Sequence, residues 1–350
     1  MKDLSPSLDT LRVLNSERLN RLYQTPVVGL AFDVHGFTFG KNPEVNKSIL
    51  NEQARLLELG CVLAAVTGFG DRIHLFQTKP LLSHLERRGL NPSQVPLYLS
   101  TRNGALTTHA YKDEIIDHHP ITSEMYDAIT SHPLVEAVQR LVRPDVKAEL
   151  AREYAETSAS LGFELHPRRE ENPGIRHDWH PGTRAGYQLT VIYEPDYLRQ
   201  IGIHDEGSDD IRIILEHCGG SLPDNPHVLA PILKQALAES GLDIATNTAG
   251  THPEIDIALP GINKAIGCSA LLDRIAGKWN IGEEEARKRT IGGGDSPKYN
   301  DRPLIKFFDN GVTNIYYWDD GVDGPIVLDY QQLVDPVERT LELFRRIKTG

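Results

Sequence analysis

Short apolar segments alternate with helix-forming segments in the first hundred residues, and this alternation constrains the fold more than any other feature. The apolar segments are VVGLAFD, which ends at Asp33, CVLAAVT, which ends at Thr67, and VPLYLSTRNGA at 95–105. Apolar runs of this length are typical of parallel strands buried on both faces. Helices are predicted between them, over 44–59 and 78–88. Strand and helix alternating in this way predict a doubly wound parallel sheet of the α/β class.

Polar residues stand where the predicted strands end, and ligands of such sheets bind beyond the carboxyl ends of the strands. Asp33 and Thr67 occupy two of these ends, Lys264 opens a later predicted helix, and Asp295 follows the strand-like start of TIGGGDSP. Phosphoryl transfer needs a nucleophile, a metal ion and groups that hold the phosphate oxygens. An Asp can attack phosphorus, two carboxylates suit Mg²⁺, and a Lys and a hydroxyl can bind oxygens. The residues therefore form a chemically sensible set if the fold brings them together.

Five short motifs occur in a fixed order between about 27 and 304. They are Asp33-Val34-His35-Gly36, Thr67-Gly68, Asn103-Gly104-Ala105, Asn263-Lys264-Ala265, and Gly294-Asp295-Ser296 followed by Asn300-Asp301. In these motifs the chain resembles the HAD (haloacid dehalogenase-like) superfamily, and within it the sugar-phosphatase-like branch with a large type II cap. Each motif alone is weak, whereas five in order at suitable strand ends or helix starts are a strong signal.

The resemblance implies a Rossmann-like HAD core that is interrupted by an inserted α+β cap. We expect an N-terminal helical extension over 1–25, the core over 26–112 and 256–350, and the cap over 113–255. The cap segment is rich in charged residues, His and Pro, and a helix is predicted there over 123–142.

The resemblance also implies a Mg²⁺ site and a nucleophile. Asp33 is the expected nucleophile and a metal ligand, and the backbone carbonyl of His35 is the expected second ligand. Asp295 is expected to hold the metal with help from Asn300 or Asp301.

Further residues are expected to contact the substrate. Thr67 and Lys264 would bind the phosphoryl group, and the cap would close over the site and read the leaving group. Positive residues of the cap segment are candidates for that contact, although a solvated loop is the default interpretation of the segment. The expected substrate-binding residues are Gly68, Asn103, Arg168, Arg169 and Arg176.

The chain departs from the family pattern at four places. His35 replaces the second Asp, which in the family protonates the leaving oxygen and activates water. An imidazole, with a reference pKa of about 6.5, can do the same work, but His35 can equally be a structural donor that pins the loop. Phe37 and Phe69 replace a Thr and an Arg of the family motifs, and Asp295 and Asp301 are six positions apart rather than four.

Three functions are compatible with these residues. The leading hypothesis is a Mg²⁺-dependent phosphatase that hydrolyses a small phosphorylated metabolite, a sugar or polyol phosphate, through an aspartyl-phosphate. The longer loop from Asp295 to Asp301 suggests a mutase-like phosphoryl transferase instead. The third hypothesis is a HAD-like protein that binds a phosphorylated ligand without turnover, because His35 stands where the family has Asp.

Composition bounds the partners and the environment. A net charge of −12 argues against a general nucleic-acid binder, whose surface should be basic. No apolar run approaches the roughly 20 residues of a membrane helix, and the first residues do not form a secretory signal. Three scattered cysteines indicate neither a disulfide framework nor a zinc ribbon, so a reducing cytoplasm is expected. The sequence does not predict the oligomeric state.

Overall fold

The described part of the chain forms two compact units. The computed structural model describes residues 8–68, 70, 73, 77–112, 114–149, 152, 175–180, 185–204, 208–248, 253–315, 324–328 and 335–350. The first unit comprises Met1–Phe69, Ile73–Asp117 and Lys264–Gly350, and the second comprises Gly70–Arg72 and His118–Asn263.

Strands and helices are numbered separately in chain order. The strands are β1 (Gly29–Phe32), β2 (Val62–Val66), β3 (Leu97–Thr101), β4 (Leu106–His109), β5 (Ile115–His118), β6 (Ile175–His180), β7 (Ala185–Ile192), β8 (Ala245–Thr248), β9 (Glu254–Ala258), β10 (Thr290–Gly293), β11 (Asn310–Thr313) and β12 (Ile326–Val327). The helices are α1 (Leu8–Gln24), α2 (Pro43–Glu58), α3 (Lys79–Arg87), α4 (Ser123–Thr130), α5 (Pro133–Arg140), α6 (Pro195–His204), α7 (Asp209–His217), α8 (Pro226–Glu239), α9 (Lys264–Trp279), α10 (Glu283–Lys288), α11 (Arg302–Phe307) and α12 (Pro336–Arg346).

The first unit is built on an eight-stranded sheet in the order β12-β11-β10-β1-β2-β3-β4-β5. The strands from β12 to β3 pair in parallel, and β3 pairs with β4 antiparallel. β1 lies between β2 and β10, so the carboxyl ends of these three strands meet at one edge of the sheet. The predicted α/β fold with a mostly parallel sheet is confirmed.

Helices cover both faces of this sheet, because successive strand residues point to opposite sides. Leu30 and Phe32 of β1 belong to one core cluster, which includes Ile49 of α2 and Phe344 of α12. Ala31 belongs to a second cluster, which also takes in apolar residues of α9, α10 and α11. The strands are therefore buried on both faces, which explains why their sequences are continuous apolar runs.

The helices predicted over 44–59 and 78–88 are observed as α2 and α3. α2 begins where the sequence signals it. The Asn42 side chain accepts a hydrogen bond of 3.1 Å from the Glu44 N–H, and Pro43 occupies the first turn.

The single helix predicted over 123–142 is wrong. The chain forms two helices, α4 and α5, that are interrupted between Thr130 and Pro133. A residue that precedes proline avoids the helical region, and His132 is extended, with φ −67° and ψ 130°. His132 instead starts α5, because its Nδ1 accepts a hydrogen bond of 3.3 Å from the Leu134 N–H.

The second unit has its own antiparallel sheet, in the order β6-β7-β9-β8. Apolar residues of β7 and β9 form its core with α5 and α8, among them Leu189, Ile255, Val138 and Leu233. The unit runs from His118 to Asn263, whereas the sequence placed the inserted segment at 113–255. β5 belongs to the larger sheet and β9 pairs with β7 and β8, and these pairings set the two limits.

The N-terminal helix α1 packs within the first unit beside the edge strand β12. The Asn15 side chain donates to the Val327 carbonyl (3.0 Å) and accepts from the Val327 N–H (2.8 Å). Arg18 donates to the Gly324 carbonyl (2.6 Å), and Leu22 is buried in the core. The side-chain amide of Asn15 thus satisfies the two backbone groups of Val327 that a further strand would otherwise pair with.

The sequence predicts neither a disulfide framework nor a membrane-spanning helix. Cys61 and Cys268 are buried free thiols, and Cys218 is a half-buried free thiol. Among the described residues, none of the helices has the length and apolar composition needed to cross a bilayer.

Candidate active site

Asp33 lies at the carboxyl end of the central strand β1. Its backbone N–H donates to the Gly293 carbonyl of β10 (2.8 Å), so the ladder continues to the point where the side chain emerges. The residue is 6 % exposed. The fold therefore presents one nearly buried carboxylate at the middle of the edge where ligands of such sheets bind.

Lys264, the first residue of α9, brings a buried cation to Asp33. Its Nζ lies 2.6 Å from Asp33 Oδ1 and 2.5 Å from Asp301 Oδ1, and the residue is 1 % exposed. A buried ammonium group is stable only when it is paired and hydrogen-bonded. Lys264 thus joins two carboxylates from different parts of the chain.

Asp33, Asp295 and Asp301 form a cluster of three carboxylates. One oxygen of each lies within 4.8 Å of the others. Asp301 Oδ2 accepts a hydrogen bond of 2.9 Å from the Ser296 N–H, which closes the loop between the two later acids. Closely spaced carboxylate oxygens are the ligands that hard divalent cations prefer, so the cluster can hold a metal ion.

The charges of the cluster are not balanced by Lys264. Burial, followed by the charge of Asp301, raises the pKa of Asp33 to about 7, although Lys264 opposes the shift. Burial and the charges of Asp33 and Asp301 raise the pKa of Asp295 to about 8. For Lys264, burial alone would lower the pKa, but Asp301 and Asp33 outweigh it and raise the pKa. A divalent cation would stabilise the ionised form of these acids.

The loop that follows Asp33 lies directly against Asp295. Gly36 has a φ of +80°, and a Cβ at this position would collide with Asp295 Oδ2. Phe37, which replaces the Thr of the family pattern, is 1 % exposed, and its ring packs on Gly293. The His35 side chain is exposed. The loop therefore lies against the carboxylate cluster, and the Phe37 side chain serves packing.

Asn300 offers a further oxygen next to the cluster in sequence. Its Oδ1 is buried and has no hydrogen-bond partner among the described residues. Buried amide oxygens are normally satisfied. A metal ion or a water molecule bound to it would supply the partner that the described residues do not.

The predicted phosphate-binding residues lie at the carboxyl ends of β2 and β3. Thr67 is buried, and its N–H donates to the Ser100 carbonyl (2.8 Å). Asn103 is buried with a φ of +56°, and its N–H donates to the Thr67 carbonyl (2.9 Å). Gly68 is half-buried. These residues stand one and two strands from Asp33, and their contact with a phosphoryl group stays a prediction.

Three arginines are predicted to contact the leaving group. Arg168 and Arg169 lie outside the described residues, as does Phe69. Arg176 belongs to β6, opposite Thr190 in the ladder with β7, but its side chain lies outside the described part of the structure. Their roles stay predictions.

Sequence reasoning missed Asn314, which follows β11 at the same edge of the sheet. Asn314 is fully buried, and its Nδ2 donates to the Gly36 carbonyl (2.9 Å) and to Thr340 Oγ1 (3.0 Å). The one available signal was its position at the end of a parallel strand.

Comparison with known proteins supports the fold. No protein-family model and no curated protein is similar to the chain in sequence. A structure from Plasmodium vivax described as HAD/COF-like has a TM-score of 0.58 at 13% identity, over 95% of this chain and 98% of that one. A protein from Eubacterium rectale has a TM-score of 0.51 at 14% identity, over 91% and 98%. At these identities the similarity is one of fold, and the HAD-like fold that the motifs predict is confirmed.

Proposed function

We propose that the chain is a Mg²⁺-dependent phosphatase that hydrolyses a small phosphorylated metabolite, a sugar or polyol phosphate, through an aspartyl-phosphate on Asp33. The observation that carries this proposal is the contact of the nearly buried Asp33 with Lys264, beside Asp295 and Asp301. A carboxylate held by a cation at a strand end, with two further acids, is suited to nucleophilic attack on phosphorus. The cytoplasmic location expected from the sequence belongs to the same proposal.

In the first step a carboxylate oxygen of Asp33 attacks phosphorus. The bond between phosphorus and the leaving oxygen breaks, and its electron pair goes to that oxygen, which then takes a proton. We assign this proton transfer to His35, because its side chain is exposed and only two residues from the nucleophile. The products are the free alcohol and an aspartyl-phosphate.

In the second step water attacks the phosphorus of the aspartyl-phosphate. His35, now neutral, accepts the proton of the water, and the bond between phosphorus and Asp33 breaks. Inorganic phosphate leaves, and both Asp33 and the protonated His35 are regenerated. Lys264 remains paired with Asp33 Oδ1 in the resting site and stabilises the carboxylate that returns.

The residues present fit a Mg²⁺ ion. Asp33, the backbone carbonyl of His35 and Asp295 would hold it, with Asn300 or Asp301. The fit rests on three acids faced by one Lys, on the raised pKa values of Asp33 and Asp295, and on the unpartnered Oδ1 of Asn300. When bound, the ion supplies charge neutralisation at the phosphate oxygens.

The substrate contacts complete the proposal. Thr67, Gly68 and Asn103 are proposed to bind the phosphoryl group together with Lys264. The inserted segment, predicted over 113–255, is proposed to act as the cap that reads the leaving group. Within it the proposed contacts are Arg168, Arg169 and Arg176.

The test is phosphate release from a panel of phosphorylated sugars, polyols and nucleotides, with and without Mg²⁺. We expect Mg²⁺-dependent release from at least one sugar or polyol phosphate. Transfer of phosphate to an acceptor sugar without release would favour the mutase-like alternative. Ligand-dependent thermal stabilisation without turnover would favour a binding protein.

Mg²⁺ binding is expected to strengthen as the pH rises from 6 to 8. The ordinary pKa of Asp is 3.8, so the folded metal-free protein retains protons on Asp33 and Asp295 that the unfolded chain releases. The contribution of these two acids to the stability of the metal-free protein is therefore largest below their ordinary pKa of 3.8, and it is lost as the pH rises through the raised pKa values of about 7 and about 8. Mg²⁺ must displace these protons, so its dissociation constant should fall by at least about tenfold between pH 6 and pH 8.

Isothermal titration and thermal-shift assays at both pH values measure this effect. An Asp295→Asn variant lacks one of the two titrating carboxylates. Its Mg²⁺ dissociation constant should therefore depend less on pH than that of the parent protein. Equal Mg²⁺ affinity at pH 6 and pH 8 in the parent protein would contradict the prediction.

His35→Ala is expected to slow turnover far more than it weakens Mg²⁺ binding, because only the backbone of residue 35 is proposed to contact the metal. General acid–base groups contribute about 10²- to 10⁴-fold. Steady-state kinetics and Mg²⁺ titration give the two quantities separately. A parallel loss of both would indicate that His35 pins the loop, and faster turnover in His35→Asp would show that the site is an adapted phosphatase.

A further inference from the structure

Asn314 connects β11, α12 and the loop that follows Asp33, which runs to Phe39. It follows β11, it donates to the Gly36 carbonyl of the loop, and it donates to Thr340 Oγ1 of α12. α12 also holds the Asn314 backbone, since Arg339 donates to the Asn314 carbonyl (2.9 Å). Both Asn314 and Thr340 are fully buried.

The contact of Asn314 with Gly36 acts at the most constrained point of the loop. Gly36 has a φ of +80° and lies against the Asp295 carboxylate, with no room for a Cβ. Within the loop, the Gly36 N–H donates to the Phe39 carbonyl and the Phe39 N–H donates to the Val34 carbonyl. Thr38 Oγ1 donates to the Asp33 and Val34 carbonyls. Asn314 is therefore a buried side chain that ties this loop to the end of β11.

The Asn314 amide is not explained by packing alone. Its Oδ1 is buried without a hydrogen-bond partner among the described residues, which is unfavourable for folding. An apolar side chain of the same shape would avoid this loss. The Asn314 Nδ2 group donates to the Gly36 carbonyl and to Thr340 Oγ1, and these two bonds are the reason that an Asn is suitable here.

We propose that Asn314 is a positioning residue, which holds the Gly36 peptide so that Asp33 and the His35 carbonyl face Asp295. This inference rests on the proposed function, because it assigns a role within that site. Residues that orient the ligands of a metal typically change metal affinity or activity by about 10- to 100-fold when they are replaced.

The test compares Asn314→Leu with the parent protein. Leu has nearly the same shape, but it removes the donor to Gly36 and also the unpartnered oxygen. We expect kcat for phosphate release to fall by at least about tenfold, and half-saturation by Mg²⁺ in a thermal-shift assay to rise by a similar factor. KM for the substrate and the thermal midpoint without metal should change little.

Two control variants separate positioning from a general packing effect. Asn310→Ala replaces an Asn at the opposite end of β11. It removes the hydrogen bond from Asn310 Nδ2 to the Lys288 carbonyl (2.6 Å). Thr340→Val removes the second acceptor of the Asn314 amide and leaves the bond to Gly36. Both should retain the parent kcat and the parent response to Mg²⁺.

The possible results each decide the proposal. Parent-like kcat and Mg²⁺ response in Asn314→Leu would overturn it, and so would an equal loss in Thr340→Val. If the parent protein releases no phosphate from the panel, the proposed function fails. The Mg²⁺ thermal shift of Asn314→Leu then still tests whether Asn314 positions the metal ligands. A parent protein that neither turns over nor responds to Mg²⁺ would refute both.

Discussion

Asp33→Asn is expected to abolish phosphate release, with a loss in kcat of at least about 10³-fold, while the fold is preserved. The amide of Asn has the shape of the carboxylate but cannot act as the nucleophile. Stability should not suffer, because burial and Asp301 already disfavour the ionised form of Asp33. Lys264 keeps its second partner, Asp301.

Single-turnover phosphate release and thermal unfolding measure the two effects of Asp33→Asn. Asp309→Asn is the matched control, since Asp309 is exposed and precedes β11 at the far end of the strand. It should behave as the parent protein. An Asp33→Asn protein that retains activity would remove Asp33 from the role of nucleophile.

Lys264→Met is expected to reduce both stability and activity. The substitution leaves buried carboxylates without their cation, and removal of one partner of a buried ion pair costs about 3–5 kcal/mol. Loss of a group that stabilises developing charge typically lowers kcat by about 10²- to 10³-fold. Urea unfolding without metal and phosphate-release kinetics test the two parts.

Two further variants test whether loss of the Lys264 charge causes the loss of stability in Lys264→Met. Lys278→Met changes an exposed Lys in the last turn of the same helix and should alter stability by less than about 0.5 kcal/mol. Asp301→Asn in the Lys264→Met background removes one stranded charge and should recover part of the lost stability. Stability of Lys264→Met equal to that of the parent would contradict the ion-pair interpretation.

The fold was predictable because its signals are local. The strands that end before Asp33 and Thr67 are apolar throughout, and Asn42-Pro43 marks the start of α2. The break at Pro133 was also visible in the sequence, but the apolar periodicity on both sides of it led to the prediction of one helix. The end of the second unit at Asn263 could not be predicted from the sequence, because it depends on which sheet β9 joins.

The site was predictable to the extent that it consists of motifs. Asp33, Lys264, Asp295 and Asp301 were selected from the sequence, and the structure brings them together. Their pairing could not be predicted from the sequence, since Lys264 and Asp33 are 231 residues apart. Asn314 belongs to none of the five motifs, and its contact with Gly36 spans 278 residues. Such a residue becomes visible only when the sheet has been assembled.

The two hydrogen bonds between Asn15 and Val327 cap the outer edge of β12. A strand added beside β12 would need the same N–H and carbonyl that the Asn15 amide occupies. Sheet growth on that side is thus terminated from within the molecule, by one side chain of a helix. A shortened variant that begins after Gln24 would expose a bare pairing edge to a second copy, so truncation at this helix is a route to self-association.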